Sequence, residues 1–300
     1  MTDLAGRSVT VRVPATSANL GPGFDTLGLA LALYDELTVT ATTEPGVHVE
    51  VIGVGAGEVP TDETNLVVRS IKHTFDHYGL PMPGLALEAH NVIPHGRGLG
   101  SSGAAIVSGI MAAKGLLEGI VDIDSDALLT LATELEGHPD NVAPALFGGL
   151  TIAWTTADGP KAKKLIVHRG VSPVVCVPAA TMSTALARSL QPASVPHADA
   201  VFNVSRSALL IAALIQSPEL LLEATPELPG ECDAGDGCAH PGAPQARVGG
   251  GGIGRRSLGS RARQRPVPAT RRGRAGGLAR HHAVGVAHAG RRFQRCYSDH

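Results

Sequence analysis

The chain changes character near Thr225, and that break limits how much of it can fold as one packed unit. Residues 226–300 hold 13 Arg, no Lys, 5 acidic residues and 15 glycines, against 9 residues in total of Leu, Ile, Val and Phe. So little apolar surface does not offset the entropy of ordering the segment, so no fold is expected there. Residues 1–225 carry 12 basic and 22 acidic residues, a balance of −10, whereas the tail carries +8; the overall charge of −2 conceals both. Over the whole chain 43% of residues are hydrophobic, enough to bury a core. No unbroken apolar run reaches the eighteen or so residues of a membrane span, and the N-terminus lacks a secretory pattern, so the expected setting is cytoplasmic. The cysteines, Cys176, Cys232, Cys238 and Cys296, have no CxxC spacing; Cys176, in "VVCVP", reads as a small core residue.

Before the break the hydrophobic period alternates between strand and helix. "SVTVRV", "ELTVTAT" and "VHVEVIGV" repeat every second residue, as half-buried strands do. "TNLVVRSIKHTFDHYG" puts Leu66, Val67, Ile71 and Phe75 on one helical face and closes at Gly79, and "LALEAHNVI" returns to a strand. Helices follow at about 101–118 and 125–136, strands at "GLTIAWT" and "VSPVVCVP", and helices around 183–190 and 198–215. Strands and helices mixed in no strict βαβ order predict an α+β fold.

The stretch "PHGRGLGSSGAA", residues 94–105, runs straight into one of these helices. A glycine loop lets backbone N–H groups turn toward an anion, and the helix start adds its own unpaired N–H groups and positive dipole end. The Walker pattern is excluded because no GK[ST] follows, and the dinucleotide fingerprint because no acidic residue ends a strand about twenty residues on. A valine at Gly100 is expected to block the close approach of backbone to phosphate. Two further stretches are polar and punctuated by glycine. "PATSANLGPGFDTLG", residues 14–28, reads as a loop between strands carrying Asn19 and Asp25; "EGHPDNVAPALFGG", residues 136–149, crowds His138, Asp140 and Asn141 just past a helix. Each alone is equally an ordinary Asx turn.

Taken in order with "STALARSLQP" at 183–192, these stretches resemble the homoserine kinases of the GHMP kinase superfamily, over about residues 8–225. The resemblance implies a GHMP kinase fold: a ribosomal S5 domain 2-like N-terminal domain over 1–157, with a left-handed crossover, and an incomplete ferredoxin-like C-terminal domain over 158–225. It implies transfer of the ATP γ-phosphate to the L-homoserine hydroxyl, giving O-phospho-L-homoserine in threonine biosynthesis. On this resemblance Pro94, His95, Gly96, Arg97, Gly98, Leu99, Gly100, Ser101, Ser102, Gly103 and Ala104 wrap the triphosphate, and Asn65 touches the nucleotide. Mg²⁺ bridges the phosphates from Ser102 and Glu134; Glu136 points about 200° away from Glu134 if the segment is helical, so only one of them faces the site. Asp25 accepts the ammonium, Arg188 grips the carboxylate, and Asn19, His138, Asn141 and Thr184 orient the rest. Glu134 and Asn141 are the expected catalytic pair. Where many superfamily members carry an aspartate base, Asn141 stands here, so proton transfer to the phosphate itself ranks ahead of Asp140 as base.

Residues 226–300 depart from the family. A second substrate-gripping arginine and a later Gly-Ala-Gly-Pro-Ser/Thr loop are expected there, and neither is recognisable. Abundant Arg, Gly, Ala and Pro without Lys is what a GC-rich gene yields when read out of frame. Two readings stay open beside homoserine kinase: another small-alcohol kinase such as mevalonate kinase, and an inactive ATP-binding remnant. The expected partners are ATP and L-homoserine, with no nucleic acid and no membrane, and a homodimer is left open.

Overall fold

The computed structural model describes residues 4–177, 194–225, 247–248 and 283–288. The strands are β1 (Ser8–Leu20), β2 (Gly23–Thr42), β3 (Val47–Gly53), β4 (Gly84–Asn91), β5 (Leu150–Thr156) and β6 (Gly159–Leu165). They form one sheet in the order β3-β4-β2-β5-β6, with β1 paired to β2. Every ladder is antiparallel except β3–β4, which is parallel and joined through α1 (Leu66–His77). The other helices of this layer are α2 (Ser101–Leu116), α3 (Ser125–Glu136) and α4 (Pro139–Phe147). Helices α2 and α4 lie against β1 and β2, and α1 and α3 flank α2. The mixed α/β architecture is therefore the one expected from the sequence.

Central α2 explains its own composition. "SSGAAIVSGIMAAKGL" is apolar and small on nearly every face because it is packed on nearly every face: Ala104, Ile106, Val107, Ile110, Ala112, Ala113 and Leu116 are all buried. Its small residues admit close neighbours. A Cβ at Gly109 would sit 2.5 Å from the Val67 carbonyl oxygen and 2.6 Å from Ser70 Cβ on α1. Gly109→Ala therefore overpacks the α1–α2 contact and is expected to cost about 1–3 kcal/mol. A thermal melt checks it: a midpoint lower by several degrees is expected, and an unchanged one would show that α1 yields freely.

Three segments differ from the sequence reading. Residues 14–28 are not a loop: β1 runs to Leu20 and β2 starts at Gly23, leaving Gly21 and Pro22 as the turn. The strand hides because small residues, Ala15, Thr16, Ser17 and Ala18, fill its buried positions, and because register shifts between Pro14 and Thr16 and between Ala18 and Leu20 break the two-residue period. "HPDNVAPALF" is mostly helix, with Pro139 in its first turn and Pro144 inside it. Strand β6, "GPKAKKL", carries three lysines that mask its alternation.

Beyond β6 come β7 (Val171–Cys176), α5 (His197–Ile215), a 3-10 turn (Pro218–Leu220) and α6 (Leu221–Ala224). The helix anticipated around 183–190 lies outside the described residues, as do Cys232, Cys238 and Cys296. Where no regular structure was expected, β8 (Arg247–Val248) and β9 (Ala283–His288) pair, and β9 lies antiparallel to β7. Helix α5, with 19 residues and a mean hydropathy of 1.5, is long and apolar enough to cross a membrane by length and composition alone. Polar Asp199, Asn203 and Arg206 interrupt it, so it holds no unbroken apolar run of that length. Its Leu210, Ala213 and Leu214 are buried in the core, and Asn203 Nδ2 and Ser207 Oγ donate to the Pro22 carbonyl at 3.0 and 2.6 Å.

Candidate active site

Helices α1 and α3 have their first turns closed by side chains: Asn65 Oδ1 accepts from Val67 N–H at 2.9 Å, and Asp124 Oδ1 from Ala127 N–H at 2.8 Å. Helix α2 has no such cap. Its N-cap is Gly100, left-handed at φ 69°, so the first-turn N–H groups and the positive helix end face out with no side chain across them. Gly96 and Gly98, at φ 64° and 71°, supply the other left-handed steps of the preceding loop. This is the geometry of an anion cradle.

Thr16, buried on β1, joins this cradle to the third motif. Its N–H donates to the Leu99 carbonyl at 3.0 Å, and its Oγ1 donates to Asn141 Oδ1 at 3.2 Å. A Cβ at Gly100 would collide with the same Thr16 side chain. Gly100 is therefore required first by its strand neighbour, and only beyond that by what binds the loop. Leu99, only 3% exposed, is an anchor with its carbonyl on Thr16.

Glu136, rather than Glu134, meets Ser102: Ser102 Oγ donates to Glu136 Oε2 at 2.9 Å. Glu134 lies on the far side of α3, its Oε2 2.9 Å from His73 Nε2 on α1. The two-residue offset on a helix decides this, and the sequence alone left the choice to motif alignment. Among the described residues no group of three or more His, Cys, Asp and Glu is placed to hold a metal ion.

Asn19 and Asp25, on either side of the β1–β2 turn, are the non-glycine residues with positive φ among those described, at 57° and 50°. Asn19 Oδ1 accepts from Asp25 N–H at 2.7 Å, which holds the pair in that conformation. Asp140 is fully buried and its Oδ1 pairs with His138 Nδ1; its Oδ2, like Ser17 Oγ on β1, is buried without a hydrogen bond. Thr184 and Arg188 lie outside the described residues.

Beside the α2 start is a cavity of about 230 Å³, walled by Val49, Val51, Leu66 and Leu87 and edged by Asn65, His95, Ser101 and Ser102. Asn65 is occupied at both ends of its amide, donating from Nδ2 to the Pro60 carbonyl at 2.7 Å while capping α1. Asp35 also lines this space, and neither Asp35 nor Thr16 was picked out in the sequence. Both act through backbone groups distant in the chain, for which a single sequence carries no local signal.

The class is that of the GHMP kinases, and the glycine loop and α2 that form the cradle fall within the residues that match it. Residues 65–149 match the family of GHMP kinases N terminal domain. Homoserine kinase of Leifsonia xyli is 77% identical over 223 residues, 74% of this chain and 69% of that one. Homoserine kinase of Clavibacter michiganensis is 80% identical over 220 residues, 73% of this chain and 70% of that one. The crystal structure of homoserine kinase from Cytophaga hutchinsonii superposes with a TM-score of 0.65 at 31% identity, covering 74% of this chain and 72% of that one. The chain belongs to the homoserine kinase family of ATP-dependent kinases.

Proposed function

We propose that this chain transfers the γ-phosphoryl group of ATP to the side-chain hydroxyl of L-homoserine, with the nucleoside in the cavity and the phosphates over the α2 start. The observation that carries this reading is the uncapped helix end flanked by the Ser102–Glu136 pair. Backbone N–H groups there would neutralise charge on the equatorial oxygens, which is most of what a loose phosphoryl-transfer transition state asks. A hydroxyl and a carboxylate in contact fit a hard divalent cation that keeps several waters, so Ser102 and Glu136 are the residues assigned to Mg²⁺. Bound there, the ion would offset negative charge on the phosphates.

The amino acid would lie over the Asn19–Asp25 turn and Asn141. Asp25 takes the ammonium and Arg188 the carboxylate by resemblance, with Thr184 beside it. Thr16 orients Asn141 through its Oδ1, turning the amide NH₂ away from β1. Asp140, fully buried and paired with His138, is placed to orient that imidazole rather than to meet a substrate proton. Proton transfer to the phosphate itself is favoured on that ground. Mevalonate as acceptor is disfavoured by the identity of the 77% and 80% relatives. A cytoplasmic setting, where ATP and Mg²⁺ are plentiful, fits the reading.

Phosphoryl transfer from γ-labelled ATP tests it, with L-homoserine and mevalonate as competing acceptors. Preference for L-homoserine by about a hundredfold or more in kcat/KM is expected, and equal use of mevalonate overturns the assignment. Asp25→Asn and Arg188→Lys should each raise KM for homoserine about tenfold, by about 1.4 kcal/mol, and leave KM for ATP nearly unchanged.

A further inference from the structure

The β2–β4 ladder ends at the pair Glu36 and His90, just before β4 turns into the glycine loop. Past that point the backbone N–H groups of Val92 and Ile93 have no strand acceptor. Asp35, the next residue along β2, supplies one from its side chain: Oδ1 accepts from Val92 N–H at 2.6 Å and from Ile93 N–H at 2.9 Å. Ile93 is fully buried, so its side chain and its N–H are fixed together. Asp35 is also on the wall of the cavity with His95.

We infer that Asp35 is a positioning residue for the phosphate-binding loop: its one carboxylate oxygen fixes where the loop leaves the sheet, so that the loop's N–H groups meet the nucleotide phosphates. The far end is already tied by the Thr16–Leu99 bond and by α2. Between the two ties stand Pro94 to Gly98, with glycines in left-handed steps that hold no direction of their own. Release of the near tie would let the cradle drift, and about 1 Å of drift suffices to cost binding or rate. Burial pushes the Asp35 carboxyl above the usual carboxylate range, against the pull of the two N–H groups and of His95. This inference rests on the nucleotide reading above.

The test uses residues 1–300 and three variants, Asp35→Ala, Asp35→Asn and Asp35→Glu, with titration calorimetry for ATP and for adenosine. Asparagine keeps the Oδ1 acceptor, alanine removes it, and glutamate moves it outward by one methylene. Asp35→Ala should weaken ATP by about tenfold and adenosine by less than about threefold, because only the phosphates meet the loop. Asp35→Asn should keep both affinities within about threefold, and Asp35→Glu, the fallback if the alanine variant does not fold, should follow alanine. Amide hydrogen exchange at Val92 and Ile93 should speed up by about tenfold or more in the alanine variant and stay slow in the asparagine variant. A folded Asp35→Ala protein with unchanged ATP affinity, or one that loses ATP and adenosine equally, overturns the inference. So does an asparagine variant as poor as alanine, which would make charge rather than the acceptor decisive. Failure of the unsubstituted chain to bind ATP at all would instead overturn the nucleotide reading, and with it this inference.

Discussion

Replacing residues 226–300 with the segment encoded by the same DNA in another frame is expected to raise the rate of L-homoserine phosphorylation about a hundredfold or more. About 30% of the length of the aligned relatives lies outside the match. Meanwhile β7, α5 and α6 leave apolar side chains in water: Val204 is 69% exposed, Leu222 57% and Val201 55%, with Val174 and Val175 on β7 also exposed. Covering an apolar side chain of this kind stabilises by about 1.5–3 kcal/mol, so covering several approaches the whole net stability of an ordinary domain. The exposed side chains lie on β7, α5 and α6, on either side of Thr184 and Arg188 in the sequence, so the effect should appear in turnover as well as in melting. The coding DNA offers a first check, since one of its other frames should contain a Gly-Ala-Gly-Pro-like segment. Absence of such a segment, or equal turnover with and without the replacement, would remove the out-of-frame explanation.

The second large effect separates two glutamates two residues apart on α3. In the frame-restored enzyme Glu136→Gln should lower kcat by about a hundredfold to a thousandfold, the range seen when one preorganised electrostatic partner of a transition state is lost, about 3–4 kcal/mol. Glu134→Gln should stay within about threefold, since it loses only a half-exposed pair with His73, worth about 0–1 kcal/mol. Raising Mg²⁺ should partly rescue the first variant and not the second. A severe Glu134→Gln defect beside a mild Glu136→Gln one would return the metal to Glu134.

Much of this fold shows in its sequence where a period is clean. Val9, Val11 and Val13 announce β1, and Leu66, Ile71 and Phe75 announce α1, because one face of each element meets the core and the other meets water. The signal fails where burial is two-sided or shape is set from far away. Thr16 to Leu20 are strand residues under a bulge, and Pro139 to Phe147 are a helix starting where His138 and Pro139 suggest a turn. In the site, Asn19, Asp25 and the glycine loop are legible as types suited to left-handed backbone and anion contact. Which glutamate turns inward, and what holds the loop ends, depend on α3's rotation against α2 and on Asp35 and Thr16 meeting backbone far along the chain. Those are tertiary facts.

Thr16 also sets an order of events during synthesis. The residue whose amide oxygen accepts its hydroxyl, Asn141, is 125 positions further on, and its other partner, Leu99, is on the loop between. Strand β1 emerges from the ribosome first and yet cannot complete the site until α4 has followed. Contacts of such separation carry a loop-closure cost that local helices avoid, so they form late and limit folding speed. Nucleotide binding in a nascent or truncated chain should thus be a stringent reporter of completed folding: helices alone would give the α1–α3 signal in circular dichroism, but no chain ending before about residue 147 could hold the cradle against Asn141.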